Sequence, residues 1–259
     1  MNQWIFLLVI LTGIILFILI ISLPRKKNER VASIEGIDDP EVAKAFEKMT
    51  KFFPFKILRR RILSELKHYE LNGSLADVGC GSGNLVIQIA IKFKDLDIIA
   101  IDLSKEILNL AIKRAAKNQL SEKIKFKIGD VDNIPLNDKS VDFIISSLSL
   151  HHWNNPKLAF NELFRVLKDD GIILIFDFRR NSRKFFYGLL TFATKIVVPA
   201  ALKKINEPLG SLKAGYTAEE VKAMFTDLKV NDYEFKSYLA WMFIVIKKTI
   251  KILEITKTF

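Results

Sequence analysis

An acidic residue and three glycines at alternate positions lie where an apolar strand turns into a helix. The segment reads LADVGCGSGNLVIQIA, and the four residues are Asp77, Gly79, Gly81 and Gly83. Glycine has no side chain, so the backbone can turn sharply there and a ligand can approach the main-chain N–H groups. This order of strand, glycine turn and helix indicates a site for an adenosine-bearing cofactor.

The spacing of the glycines distinguishes between cofactors. A dinucleotide fingerprint, G-x-G-x-x-G, requires a third glycine at position 84, where this chain has Asn84. A nicotinamide-dependent reductase is also disfavoured because no Tyr-x-x-x-Lys pair is present, Tyr187 being followed four residues later by Thr191. A carboxylate just before the turn suits the ammonium group of an amino-acid zwitterion. Asp77 therefore predicts a cofactor without a pyrophosphate.

Two further acids follow the next apolar runs of the chain. Asp102 comes directly after the run 98–101, where a carboxylate can accept hydrogen bonds from ribose hydroxyls. Asp130 follows the run 124–128 and suits the exocyclic amine of adenine. Each acid also has a simpler interpretation, Asp102 as a helix N-cap before Ser104 and Asp130 as part of a Gly-Asp turn. The residues alone leave both interpretations open.

His151 and His152 are adjacent titratable residues that follow the apolar run 141–150. Ligands bind at the carboxyl ends of the strands in an open parallel sheet. Either histidine is therefore a candidate catalytic base that takes a proton from an acceptor hydroxyl or amine. In the alternative interpretation one histidine packs under the cofactor and the other caps the helix that begins near Pro156. Trp153 is expected to shape the pocket wall.

Apolar runs alternate with helical patterns along the middle of the chain. This alternation predicts an α/β fold with a parallel sheet that helices cover on both faces. After the first strand, which leads into the glycine turn, the predicted strands are 98–101, 124–128, 141–150 and 171–178, and the predicted helices are 84–93, 105–118 and 156–167.

The segment from about residue 75 to 178 resembles the class I S-adenosylmethionine-dependent methyltransferases. The resemblance is closest to small-molecule and lipid-precursor methyltransferases whose fourth strand ends in a His-His-Trp-like segment. The motifs DVGCGSG, the acid Asp102, GDVDNIPL and SLSLHHWNNPKLAFNELFRVLKDDG occur here in the family's order. One departure is Asp169-Asp170-Gly171, where the family usually has Pro-Gly-Gly. It changes a surface turn and no expected functional residue.

The resemblance implies both a fold and a cofactor. The fold is Rossmann-like, with seven mostly parallel strands, the last two (near 230–238 and 241–247) forming an antiparallel pair. The cofactor is S-adenosylmethionine. Its expected binding residues are Asp77, Gly79, Cys80, Gly81 and Gly83 at the methionine end, Asp102 and Leu103 at the ribose, and Asp130 and Val131 at the adenine. With a single cysteine in the chain, no disulfide framework and no metal site are expected, and the arsenic-methylating branch of the family is disfavoured.

An uncharged apolar segment covers residues 4–23. At 1.5 Å per residue a helix of this length spans the hydrocarbon core of a bilayer, ~30 Å. A cleaved signal peptide, the alternative, needs a basic start, a shorter apolar core and a small-residue cleavage site. Here the basic residues Arg25, Lys26, Lys27 and Arg30 follow the segment instead. They predict a single-pass anchor with the N-terminus outside and the remainder in the cytoplasm.

The predicted domain organisation has three parts. Residues 1–24 form the transmembrane anchor, 25–70 a linker with N-terminal cap helices, and 71–259 the methyltransferase domain. Within that domain, residues 179–212 are longer than a plain connection and are predicted to be a substrate-side insertion. Its middle, 185–202, is strongly apolar. This composition fits an interfacial segment or a lid, and equally a buried helix of the core.

The net charge of +11 indicates an anionic partner. No nucleic-acid-binding module is recognisable, and the basic residues are scattered, with clusters at 59–61 and 247–248. Attraction to an anionic membrane is therefore the favoured interpretation. The sequence predicts a membrane-anchored methyltransferase that acts on a small lipophilic acceptor. A methyltransferase of a soluble metabolite and a membrane-tethered protein that binds the cofactor without transferring methyl are the alternatives.

Overall fold

The computed structural model describes residues 3–25, 28–33 and 39–248. The described helices are α1 (Gln3–Ile21), α2 (Pro40–Thr50), α3 (Phe53–Leu66), α4 (Asn84–Lys92), α5 (Lys105–Lys117), α6 (Pro156–Val166), α7 (Lys184–Phe192), α8 (Ala200–Lys204), α9 (Leu209–Ala214) and α10 (Ala218–Asp227). The described strands are β1 (Ser74–Val78), β2 (Asp97–Asp102), β3 (Ile124–Ile128), β4 (Val141–Ser147), β5 (Leu167–Phe178), β6 (Tyr233–Ser237) and β7 (Trp241–Lys247).

The strands form one seven-stranded sheet in the order β3-β2-β1-β4-β5-β7-β6. The first five are parallel, and β7 pairs antiparallel with both β5 and β6. This confirms the predicted Rossmann-like α/β fold with a mostly parallel sheet. The chain order reverses between β1 and β4, so a crevice opens at their carboxyl ends, where ligands bind in such sheets.

Helices cover both faces of the sheet because successive strand residues point to opposite sides. On β1, Leu75 packs into a cluster with Val86 of α4. The next residue, Ala76, belongs to a second cluster that contains Phe160 of α6 and Phe225 of α10. The two buried layers hold the carboxyl ends of β1 and β4 rigidly beside each other.

The fourth strand is shorter than predicted. It ends at Ser147 instead of residue 150, because Leu148 adopts a left-handed backbone with φ of 55°. The Leu148 N–H donates to the carbonyl of Phe176 (2.7 Å), and a short 3-10 turn, Leu150–His152, follows. Because residues 141–150 are mostly apolar, the sequence carries no signal for this turn. The turn brings the two histidines to the end of the sheet.

Helix α1 projects away from the rest of the chain. Its 18-residue core, Gln3–Ile20, is apolar and long enough to cross a membrane, and no part of it is buried. After α1, the described part of the predicted linker is hydrogen-bonded to the domain through Arg30. Arg30 donates from Nε to the carbonyl of Ala214 (2.8 Å) and from Nη2 to the carbonyl of His151 (3.0 Å). Lys26 and Lys27 of the predicted basic flank lie outside the described residues.

The predicted insertion, 179–212, contains α7, α8 and α9. Helix α7 continues without a break into a π-helical turn, Ala193–Val197. Farther along, Val198 and Leu202 are buried against Val42 and Met49 of α2. The insertion therefore supports α2, one of the helices that precede β1.

Candidate active site

A cavity lies at the carboxyl ends of the first four strands, beneath α2 and α3. The side and main chains that line it come from the glycine turn, the ends of β2 and β4, the segment after β3, and the two preceding helices. The lining includes Phe46, Thr50, Phe55, Arg59, Gly79, Cys80, Gly81, Asn84, Asp102, Leu103, Asp130, Val131, Asp132, Ser149, His152 and Trp153. Among the described residues, none from the insertion contributes to this lining.

The glycine turn needs glycine for two physical reasons. Gly79, Gly81 and Gly83 have φ values of 76°, 55° and 76°, a region that side chains disfavour. A Cβ on Gly79 would also come within 2.5 Å of the Ser149 hydroxyl oxygen. The N–H groups of Gly79 and Cys80 both donate to the carbonyl of Ile101, at 2.9 and 3.0 Å. The turn is therefore fixed to the end of β2, and its open inner surface faces the cavity.

Asp102 holds both the glycine turn and the start of α5. Its carboxylate accepts from the N–H of Gly81 (2.7 Å) and from the N–H of Ser104 (3.0 Å). Asp102 is not the N-cap of α5, since Ser104 takes that role and accepts from the N–H of Ile107. The carboxylate also lines the cavity, as does its neighbour Leu103.

Asp77 lies behind the glycine turn and is fully buried. Neither of its carboxylate oxygens has a hydrogen-bond partner among the described residues. Burial, with a contribution from the charge of Asp102, raises the pKa of Asp77 to about 8. At neutral pH the Asp77 side chain is therefore mostly protonated, and a cationic group beside it would favour its charged form. The buried thiol of Cys80 is free, and burial raises its pKa well above the ordinary value.

The segment after β3 carries two acids rather than one. Asp130, the predicted residue, is exposed at the cavity rim and accepts from the N–H of Asp132 (3.0 Å). Asp132, which was not predicted as a site residue, also lines the cavity, and its Oδ1 is buried without a partner among the described residues. Burial and the charge of Asp130 raise the pKa of Asp132. Val131 lies between them on the cavity wall.

The two histidines have different surroundings. His152 lines the cavity, where burial and the neighbouring His151 lower its pKa to about 2, so its ring is neutral at physiological pH. His151 lies behind it, with Nδ1 2.7 Å from Asp177 and its backbone N–H bonded to the same carboxylate. Burial alone lowers the pKa of His151, but the charge and hydrogen bond of Asp177 outweigh that effect and raise it.

Neither histidine caps α6, contrary to one predicted alternative. Asn155 is the N-cap, and its side chain accepts from the N–H of Leu158 (3.2 Å). The expected role of Trp153 as a wall residue agrees with its position, since it is buried and lines the cavity.

Arg59 belongs to the basic cluster 59–61, but its side chain does not lie at the protein surface. Its guanidinium is buried, lines the cavity and donates to the carbonyl of Thr50 (2.7 Å). Its Nε has no partner among the described residues. Burial, together with the charge of Arg114, lowers the pKa of Arg59. The spacing of Leu58 and Ile62, buried on the same helix face, was the available signal for this orientation.

A family profile described as "Methyltransferase domain" matches residues 71–227, which is more than half of the chain. The chain belongs to this methyltransferase family. The match covers β1 to α10 and therefore every element that lines the cavity except α2 and α3. The predicted family, enzyme class and cofactor are confirmed: the protein is a class I methyltransferase that uses S-adenosylmethionine.

Individual relatives agree with this assignment. The methyltransferase is 25% identical over 201 residues to the demethylmenaquinone methyltransferase of Bacteroides fragilis, covering 76% of this chain and 79% of that protein. It is 27% identical over 177 residues to the malonyl-[acyl-carrier protein] O-methyltransferase of Nitrosospira multiformis. That match covers 61% of this chain but only 58% of the relative's length.

Solved structures share the fold. A crystal structure from Methanococcus maripaludis, assigned to the S-adenosyl-L-methionine-dependent methyltransferases, superposes with a TM-score of 0.67. At 24% identity it covers 86% of this chain and 99% of its own. Other methyltransferases of this fold hold S-adenosylmethionine or S-adenosylhomocysteine in their crystals.

Proposed function

We propose that this methyltransferase is anchored in a membrane by α1 and methylates a small lipophilic acceptor at the cytoplasmic face. The observation that carries the proposal is the direct joining of an exposed apolar helix to the catalytic domain. Residues 3–20 of α1 are uncharged and unburied, and the residues directly after α1 are hydrogen-bonded to the start of α7 through Arg183 and Lys184. Apolar surface of this length is stable in a bilayer and unfavourable in water.

The residues of the cavity suit each part of the cofactor. Asp77 lies behind the glycine turn and would take its charged form beside an ammonium group, while the partly unpaired guanidinium of Arg59, which lines the cavity, would match a carboxylate. Asp102 and Leu103 lie where the ribose would bind. Asp130, with Val131 and Asp132, would hold the adenine end. Arg59 and Asp132 are thereby added to the cofactor-binding residues that were expected from the sequence.

The cavity wall favours catalysis by alignment rather than by a strong base. When methyl transfer occurs, the acceptor's nucleophilic atom bonds to the methyl carbon as the carbon–sulfur bond breaks, and the electron pair leaves with sulfur. His152, with its pKa of about 2, is too weak a base to hold a proton at neutral pH. His151 has a raised pKa and lies behind the wall. We therefore infer that positioning and exclusion of water contribute most.

Two arguments support a lipophilic acceptor. The proposed anchor would hold the cavity close to a bilayer, and the relative in Bacteroides fragilis is named a demethylmenaquinone methyltransferase. The net charge of +11 also favours an anionic surface. The second candidate is a soluble metabolite, and the third is cofactor binding without methyl transfer.

The test uses the purified full chain with S-adenosylmethionine radiolabelled in its methyl group and an extract of membranes as acceptor. Label in the solvent-extracted lipid fraction is the expected result. Label confined to the aqueous fraction would replace the lipophilic acceptor by a soluble one, and absence of transfer with intact cofactor binding would favour the binding protein. In parallel, a chain without residues 1–21 should bind cofactor normally but sediment with membranes much less than the full chain.

A further inference from the structure

We propose that the outer face of α7 and its π-helical continuation is a second membrane-contact surface that binds the anionic head-group region of the bilayer. The surface consists of Leu189, Phe192, Ile196 and Val197, which we call the apolar strip. This inference rests on the proposed anchoring by α1 and adds a contact surface that no motif of the methyltransferase family supplies. The occupant we assign to the strip is lipid.

The apolar strip is a continuous feature of one helix. Helix α7 and the turn Ala193–Val197 together run from residue 184 to 197, roughly 20 Å at the α-helical rise. Leu189, Phe192 and Ile196 follow one another at helical spacing and share a face. They are 48%, 58% and 64% exposed. Large apolar side chains in a row on the outer face of a helix mark an interaction site.

The opposite face of the same helix already packs on the domain. Tyr187 is buried in a cluster with Leu209 and Leu212. Thr194 is buried, and its hydroxyl accepts from the N–H of Leu209 (3.1 Å). The inner face therefore fixes the orientation of the helix. The apolar strip is exposed because it lies on the opposite, outer face.

The end of α1 fixes where the apolar strip lies relative to the bilayer. Arg183 donates from Nη1 to the carbonyls of Ser22 (2.7 Å) and Leu23 (3.3 Å), which are among the last carbonyls of the anchor. The N–H of Lys184 donates to the carbonyl of Pro24 (3.1 Å). Because α7 begins within one hydrogen bond of the residue that leaves the anchor, it starts at the membrane surface.

The charges around the apolar strip match anionic head groups. Between residues 183 and 206 the sequence contains five basic and no acidic residues. Four of the five, Lys184, Lys195, Lys203 and Lys204, are exposed. Basic residues near an anionic membrane surface are attracted to it electrostatically. Apolar side chains flanked by lysines are the composition of helices that lie in the membrane interface.

The surface also connects to the cavity through packed side chains. Val198 and Leu202, which follow the apolar strip, are buried in one hydrophobic cluster. Phe46 and Phe55 pack against this cluster. Phe46 and Phe55 line the cavity. Membrane contact at the strip would thus place the lipid surface one packed layer from the cavity wall.

The test places a fluorescent probe at single introduced cysteines in the full chain, reconstituted in vesicles of phosphatidylcholine with phosphatidylglycerol. The variants are Ile196→Cys on the apolar strip, Ile10→Cys on the anchor, and Asp95→Cys, an exposed control at the amino-terminal edge of the sheet. Native Cys80 is buried, and the unsubstituted chain gives the background. Brominated lipids then quench only probes that contact the bilayer.

Quenching at Ile196 and Ile10, with none at Asp95, is the expected result. Quenching at Ile10 without quenching at Ile196 would overturn the second contact while leaving the anchor intact. No quenching at Ile10 would overturn the anchoring itself, and this inference with it. A shift of the Ile196 emission to shorter wavelength without bromine quenching would assign the strip to protein contact instead. Equal quenching at Ile196 when phosphatidylglycerol is omitted would overturn the preference for anionic lipid.

Discussion

The carboxylate of Asp102 accepts a 2.7 Å hydrogen bond from the backbone N–H of Gly81 and so joins the end of β2 to the glycine turn. Its other oxygen accepts from the N–H of Ser104 at the start of α5. The residue expected to bind the ribose thus also shapes the turn that would receive the methionine end. Loss of this carboxylate should affect both parts of the site.

Asp102→Ala should weaken S-adenosylmethionine binding by about 1–3 kcal/mol, the cost of losing charge-assisted hydrogen bonds. Asp102→Asn keeps one acceptor for the turn but loses the charge, and it should fall between the wild type and the alanine variant. Isothermal titration calorimetry measures both. Unchanged affinity in the alanine variant would remove Asp102 from the site.

Arg59→Met should also weaken cofactor binding, by about 1.5–3 kcal/mol if a charged hydrogen bond is lost. Methionine approximates the length of the arginine stem, so the packing of α3 is largely retained. Arg60→Met is the matched control, because Arg60 is the next residue on the same helix and is exposed. Equal affinities of the two variants would contradict a role of Arg59 at the methionine end.

The stability of the cofactor-free protein should fall with rising pH because of Asp77. Its pKa of about 8 in the folded chain lies above its ordinary value of 3.8, so the folded state holds a proton that the unfolded state has lost. Stability is therefore lost progressively from about pH 4 to pH 8. Asp77→Asn should remove this loss, whereas the exposed control Asp95→Asn should retain it. Thermal unfolding followed across that range measures the difference.

The buried pair of His151 and Asp177 should stabilise the protein most at low pH. The pKa of His151 is raised in the folded state, so its contribution is complete below the ordinary value of 6.5 and is lost as the pH rises through the raised pKa. Breaking a buried pair costs about 3–5 kcal/mol. Asp177→Asn should therefore lower the unfolding temperature more at pH 6 than at pH 9. An equal decrease at both values would show that His151 is neutral throughout.

Much of the fold was predictable because its signals are local. The alternation of apolar runs and helical patterns gave the strands β3 and β7 with their observed bounds and the helices α4, α5 and α6 to within one residue. The glycine turn was recognisable because left-handed backbone at three nearby positions requires glycine. An uncharged run of membrane-spanning length was equally plain in the sequence.

Tertiary structure decided the features that depend on residues distant in the chain. The burial of Arg59 follows from the packing of α3 over the glycine turn, and its neighbours Arg60 and Arg61 are exposed. The different surroundings of His151 and His152 depend on Asp177, which lies 26 residues after His151 and hydrogen-bonds to its ring. The pKa values of adjacent residues shift in opposite directions when one residue turns toward a buried carboxylate and the other toward a cavity.

The sequence by itself determined the cofactor class, the order of the elements and the apolar length of α1, since each is written in contiguous residues. Tertiary structure alone decided that Arg183 and Lys184 bind the residues directly after α1 and that the apolar strip of α7 faces outward. The apolar segment 185–202 was compatible with a buried helix or an interfacial one. Composition cannot distinguish the two, because the faces of a helix are defined only by what packs against them.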